Sequence, residues 1–287
     1  MSQLHLGPSR YLEGLPQPGR TLVMGVVNTT PDSFSDGGQY VEPEAAVAHG
    51  LELVANGADL IDVGGESTRP GAERPSLEAE LSRVIPVIES LAGHGVLVSI
   101  DTMRASVAEA AVQAGAVLVN DVSGGLADEA MLPTIARLGV PCVLMHWRSH
   151  SAQMQQHTNY DDVVEEVYAA LQGRLRAAAQ AGITAGVAVD PGIGFSKTAE
   201  QNWALLAGLE RFGDLGHPVL VATSRKRFLG TLLGDREPAG RDDATTATTV
   251  LAAARGAWCV RVHRARAAAD AVQVAHRWAE AEAVRNQ

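Results

Sequence analysis

The sequence is poor in cysteine, in aromatic residues and in positive charge. Only two cysteines, Cys142 and Cys259, stand among 287 residues, each inside an apolar run. That excludes a disulfide framework and points to buried thiols in a reducing compartment rather than to a metal site. Lys and Arg number 23 against 33 Asp and Glu, a net charge of −10. Such a balance argues against a nonspecific nucleic-acid surface. A small anionic substrate stays open, provided the basic groups gather in one pocket. No window approaches the ~18 consecutive apolar residues of a membrane span, and residues 1–20 lack the apolar centre of a signal peptide. A soluble cytoplasmic protein is therefore expected, with neither nucleic acid nor membrane as a partner.

What is present is a repeated unit. Hydrophobic residues make up 46% of the chain and charged residues 20%, enough for a large core. After an irregular N-terminal extension (residues 1–20, with Gly7, Pro8, Pro16, Pro18 and Gly19), one pattern recurs: a short β-branched run, a polar or Gly-rich switch, then a helix-period segment. The strand-like runs are 21–28, 59–65, 96–102, 117–123, 142–147, 187–192, 219–224 and 258–263. Between them, spacings such as Leu77, Leu81, Val84, Ile85, Ile88 and Leu91 predict amphipathic helices. Gly57, Gly115, Gly182 and Gly256 stand where helix-terminating glycines would. Strand alternating with helix predicts a parallel sheet with right-handed crossovers. Eight units without a break in composition predict a single α/β domain over 21–287, a (β/α)8 TIM barrel. A doubly wound open sheet is the alternative. It is disfavoured because no run is followed by G-x-G-x-x-G.

Polar residues cluster at the C-terminal ends of these runs: Asn28; Glu66, Ser67, Thr68 and Arg69; Asp101; Asn120 and Asp121; His146, next to Met145; Asp190; Ser224 and Lys226; Arg261 and His263. Singly, each has an ordinary reading as a helix cap or a surface ion pair. Recurring at all eight strand ends, they mark one working face, where barrel enzymes keep their chemistry. Asp101, Asn120 and Asp190 suit a flat heterocycle rich in N–H groups. Arg261, His263, Lys226 and Asn28 suit an oxyanion-rich group such as a phosphate. The polar stretches 29–40 and 66–75, the first carrying Phe34 alone among acids and hydroxyls, resemble lids over the mouth.

Read whole, the stretches MGVVNTTPDSFSDGG and DLIDVGGESTRPGAE resemble the two signatures of the dihydropteroate synthases, of the pterin-binding barrel group. VSIDT, VNDVSGG, VLMHW, DPGIGFSKTAEQN, SRKRFLG and VRVH follow in the family's order. The resemblance covers roughly residues 23–275. It implies condensation of 6-hydroxymethyl-7,8-dihydropterin pyrophosphate with p-aminobenzoate to give 7,8-dihydropteroate and pyrophosphate, in folate biosynthesis. By motif, Asp101, Asn120, Met145, Asp190, Phe195, Lys226 and Arg261 would hold the pterin. Asn28, Arg261 and His263 would meet the diphosphate, with Asn28 a ligand of Mg²⁺. Phe34, Thr68, Arg69, Pro70 and Arg227 would frame p-aminobenzoate, which sulfonamides would mimic. Asp101, Asp36, Lys226 and Arg261 would carry the catalysis. The resemblance also implies a homodimer. Arg227 departs from members that have Ser there, leaving open which group meets the p-aminobenzoate carboxylate. Rival readings are a silent pterin-binding paralogue, a folate/corrinoid methyltransferase of the related barrel group, and a structural protein. The first would be expected to lose Phe34, Asp36, Arg69 or Lys226; the second lacks the DSFSDGG and SRK pair.

Overall fold

The computed structural model describes residues 10–30, 43–67, 72–150 and 157–285. Eight strands alternate with helices along the chain. The strands are β1 (Leu22–Asn28), β2 (Leu60–Gly64), β3 (Val98–Asp101), β4 (Leu118–Asp121), β5 (Cys142–Met145), β6 (Val187–Asp190), β7 (Leu220–Val221) and β8 (Cys259–Val262). The helices are α1 (Pro43–Ala55), α2 (Leu77–Gly93), α3 (Ala105–Gln113), α4 (Met131–Leu138), α5 (Val163–Gln180), α6 (Ala199–Ala207), α7 (Leu209–Gly213), α8 (Arg227–Leu232), α9 (Asp242–Ala254) and α10 (Ala265–Arg285). All named strand pairs are parallel, in the order β6-β5-β4-β3-β2-β1-β8-β7, and a bridge between Val189 and Val219 joins the two edges. The expected (β/α)8 barrel is thus present, nearly closed.

The glycines after α1, α3, α5 and α9 end those helices for a conformational reason. Gly57, Gly115, Gly182 and Gly256 take φ of 95°, 112°, 86° and 77°, a region costly for residues with a Cβ. Each pair of amides at these turns folds back on the last helical turn, as in Gly57 N to Val54 O at 2.9 Å and Ala58 N to Leu53 O at 3.0 Å. The chain is thereby returned to the bottom of the next strand.

Alternation along the strands sorts side chains between two cores. Val23, Ile61, Val63, Ile100, Val119, Leu144, Val189 and Val260 face outward and pack under the helices. Leu22, Met24, Leu60, Leu118, Val143, Ala188, Leu220 and Cys259 fill the interior. The same inward rows continue upward as Asp62, Asp101, Asn120, Met145, Asp190 and Arg261, so one periodicity fills the base with hydrocarbon and the mouth with polar groups. Leu12 and Leu15, from the extension expected to be merely irregular, join the interior cluster beside Trp258 and plug the base. Arg20 secures the entry to β1 by a paired contact with Asp59 at 2.8 and 2.9 Å. Cys142 and Cys259 are buried free thiols.

β7 is shorter than the run 219–224 suggests. After Val221 the chain turns: Arg225 adopts φ 59°, its N–H donates to Thr245 Oγ1 at 3.1 Å, and Lys226 N–H donates to Thr223 O at 3.1 Å. This bend lifts Lys226 out of the ladder and toward the mouth.

Candidate active site

The mouth is organised around Arg261, on β8. Its side chain crosses β1 to reach carboxylates on two other strands: Nε donates to Asp62 Oδ2 at 2.6 Å and Nη2 to Asp101 Oδ2 at 2.7 Å. Asn120 Nδ2 donates to the same Asp62 oxygen at 3.0 Å. Asp62, Asp101 and Asn120 are all buried, and Arg261 keeps 17% of its side chain exposed, so it forms part of the floor that a ligand meets. Burial pushes the Asp101 carboxyl up to about 7; Arg261 opposes the rise and Asp62 adds to it. Burial works against the Arg261 charge, but Asp62 and then Asp101 raise its affinity for its proton overall.

The opposite wall is the turn after β6. Asp190 Oδ1 accepts Gly192 N–H at 2.7 Å, and burial raises the Asp190 carboxyl against the pull of Lys226. Lys226, the N-cap of α8, donates from Nζ to Ile193 O and lies 4.8 Å from the centre of the Phe195 ring. Burial lowers Lys226 to about 8, with Asp190 opposing and Arg261 assisting. A Cβ on Gly194 would stand 2.8 Å from the Lys226 chain, so only glycine lets turn and lysine close on one another. Phe195 is partly buried against Met103, Val122 and Met145, an apolar ledge beside the polar floor.

The structure therefore gathers Asp101, Asn120, Met145, Asp190, Phe195, Lys226 and Arg261 at one mouth. Asn28 ends β1 in register with Gly64, which is in turn in register with Asp101. His263 follows β8, its Nδ1 2.9 Å from Ser224 Oγ. Arg227 opens α8 as an exposed side chain at the rim. Phe34, Asp36, Thr68, Arg69 and Pro70 lie outside the described residues. As a possible Mg²⁺ ligand, Asn28 offers a hard amide oxygen of the kind that complements diphosphate oxygens, so its donor chemistry fits that ion. Among the described residues no group of three or more His, Cys, Asp or Glu side chains is gathered to hold a metal.

Two participants escape the sequence reading. Asp62 lies inside the apolar run Leu60–Gly64 rather than at its end, and a lone acid in an all-buried strand was the available signal. Lys197 is buried, with Nζ 3.0 Å from each of Gly192 O, Phe195 O and His146 Nδ1. It pins the turn from behind, and its place within the stretch DPGIGFSKTAEQN was the available signal.

A parallel barrel whose mouth combines acceptors for a flat N–H edge with a lysine and an arginine defines a class, the pterin-binding barrel enzymes. The family described as "Pterin binding enzyme" matches residues 24–263. The chain is 53% identical over 266 residues to the dihydropteroate synthase of Mycobacterium leprae (strain TN), covering 90% of this chain and 94% of that one. Among solved structures, the Xanthomonas albilineans dihydropteroate synthase with 4-aminobenzoic acid superposes with a TM-score of 0.85 at 48% identity, covering 92% of this chain and 94% of that one. The same enzyme in complex with 7,8-dihydropteroate gives 0.82 at 46% identity, with the same shares of the two chains covered. The Yersinia pestis dihydropteroate synthase in a sulfonamide drug complex gives 0.88 at 37%, covering 97% of this chain and 99% of that one. The chain belongs to the dihydropteroate synthase family, and it is a transferase.

Proposed function

We propose that the protein joins 6-hydroxymethyl-7,8-dihydropterin pyrophosphate to p-aminobenzoate, releasing pyrophosphate and forming 7,8-dihydropteroate for folate biosynthesis. The observation that carries this reading is the single floor made by Asp62, Arg261, Asp101 and Asn120, facing Asp190 and Lys226. In this mechanism Asp190, Asn120 and Asp101 accept N–H groups along the pterin edge, while Lys226 donates to its carbonyl and N5. The planar guanidinium of Arg261 stacks on the ring and extends toward the diphosphate, beside His263 and Asn28. Mg²⁺, with Asn28 as its protein ligand, would neutralise charge on the leaving diphosphate. The carbon–oxygen bond breaks with both electrons going to pyrophosphate. The cation left at the pterin methylene lies near the Asp101 carboxylate, an electrostatic stabiliser in a water-poor site, with Asp36 as its expected partner. The arylamine nitrogen then forms the new carbon–nitrogen bond and loses a proton to solvent. Positioning, rather than a protein nucleophile, supplies the rate.

The p-aminobenzoate subsite is assigned to Phe34, Thr68, Arg69, Pro70 and Arg227, and sulfonamides are proposed to compete there. A cytoplasmic homodimer completes the reading. It is supported by Val274, Trp278 and Val284, large apolar side chains that α10 leaves 57%, 61% and 73% exposed. No helix among the described residues is long and apolar enough to cross a membrane. The test is pyrophosphate release by purified protein given both substrates, compared with Asp190→Asn. That variant keeps the shape of Asp190 but loses a charged acceptor, costing about 1.5–3 kcal/mol of pterin binding, or tenfold and more. No release by the wild type, or calorimetric pterin affinity untouched in the variant, contradicts the reading.

A further inference from the structure

We propose that Asp62 is a positioning residue for the pterin site: it sets the direction of the Asn120 amide and the plane of the Arg261 guanidinium without touching the ligand itself. The inference rests on the pterin reading above and adds a residue that the motif comparison does not bring into the site. Asp62 is completely buried in the middle of β2, with Leu60 below it on the same inward row and Gly64 above. A carboxylate in that place needs a reason, because desolvating it is costly unless it is paired.

The reason is in how its partners converge. Arg261 Nε at 2.6 Å and Asn120 Nδ2 at 3.0 Å both donate to one oxygen, Oδ2, while Oδ1 is buried with no partner among the described residues. An ionised carboxylate can only accept, so the nitrogen of the Asn120 amide must face Asp62. Its carbonyl oxygen is then turned to the other side, toward the mouth, as an acceptor. Without Asp62 the amide could rotate by half a turn and offer the mouth a donor instead. Arg261 is treated similarly. Asp101 alone would hold one nitrogen and leave the guanidinium free to pivot. With Nε on β2 and Nη2 on β3, two carboxylates fix its plane. A flat ring needs that plane in one orientation.

The experiment compares Asp62→Ala, which removes the acceptor, with Asp62→Asn, which can still place a carbonyl oxygen where Oδ2 lies. Affinity for 6-hydroxymethyl-7,8-dihydropterin pyrophosphate is read by calorimetry on full-length protein, with thermal unfolding as the check on folding. The expected result is a ten- to hundredfold loss in Asp62→Ala and less than about threefold in Asp62→Asn. Asn120→Ala supplies the readout that a purely structural residue would not move. If Asp62 acts through Asn120, the losses of Asp62→Ala and Asn120→Ala are less than additive in the double variant. Additive losses, or wild-type affinity in Asp62→Ala, overturn the inference. Should Asp62→Ala not fold, a loss above tenfold in Asp62→Asn overturns it equally, since that variant preserves the acceptor geometry. Failure of the wild type to bind the pterin pyrophosphate would instead sink the functional reading on which this one stands.

Discussion

Asp101 and Lys226 face the same mouth with their proton affinities drawn toward each other. Burial raises the carboxyl to about 7 and lowers the ammonium to about 8. The proposed chemistry needs the carboxylate of the first, present above its pKa, and the ammonium of the second, present below its own. In the free protein kcat/KM for the pterin substrate should therefore rise through pH 7 and fall through pH 8, a narrow bell. Lys226→Arg, which stays protonated, should push the alkaline limb to higher pH. A profile flat from pH 6 to 9, or an alkaline limb unmoved in that variant, would remove these two groups from the rate law. At this scale most of the mouth was legible in the residues themselves, because Asp101, Asn120, Asp190, Lys226 and Arg261 stand at run ends beside turn signals. Asp62 was not, since its partners lie 58 and 199 positions away in the chain.

The turn from β6 to α6 shows how an element is held for use. Gly192 has φ 70°, and a Cβ there would meet His146 O at 2.4 Å, so the turn presses directly on the end of β5. Lys197 fills the space behind it with three polar contacts, and burial lowers its proton affinity well below the ordinary lysine range. Its contact with His146 Nδ1 at 3.0 Å ties the turn to the end of β5, and burial holds that histidine neutral down to about 2. Lys197→Met fills the volume but leaves Gly192 O and Phe195 O without their donor and His146 Nδ1 without its partner. Stability should fall by roughly 2–4 kcal/mol in urea unfolding, with weaker pterin binding, because Phe195 and Asp190 ride on this turn. An unchanged midpoint would mean that the lysine is dispensable to the turn. The helix termini were readable locally through Gly57, Gly115, Gly182 and Gly256. The early end of β7 was not, because the bend at Arg225 depends on Thr245 of α9.

The whole molecule adds one part that no motif announces. Leu12 and Leu15 are buried at the base of the barrel, against a cluster that includes Leu22, Leu118 and Trp258. The base must be sealed because the barrel interior there is hydrocarbon. Leu12→Ala should cost about 3 kcal/mol, the transfer free energy of the lost methyls plus a cavity, while leaving turnover at permissive temperature intact. A drop of less than about 1 kcal/mol would mean that the plug is peripheral. Stability and chemistry are thus separated along the barrel axis, apolar below and polar above.

By itself the sequence determined the repeat, the barrel and the polar strand ends. These depend on local periodicity, on glycines that alone tolerate left-handed turns, and on residue types adjacent in the chain. The pairing of the inward rows was left to the tertiary structure: Arg261 reaching Asp62 and Asp101 across β1, Asn120 sharing Asp62, Lys197 behind its turn, Leu12 in the base. Arg261 meets its two carboxylates only because β8 closes against β1, Asn120 meets Asp62 from 58 positions away, and Lys197 meets His146 from 51. Side-chain direction in a strand has a period of two and can be read from a sequence. Which inward residue meets which depends on the register of eight strands at once.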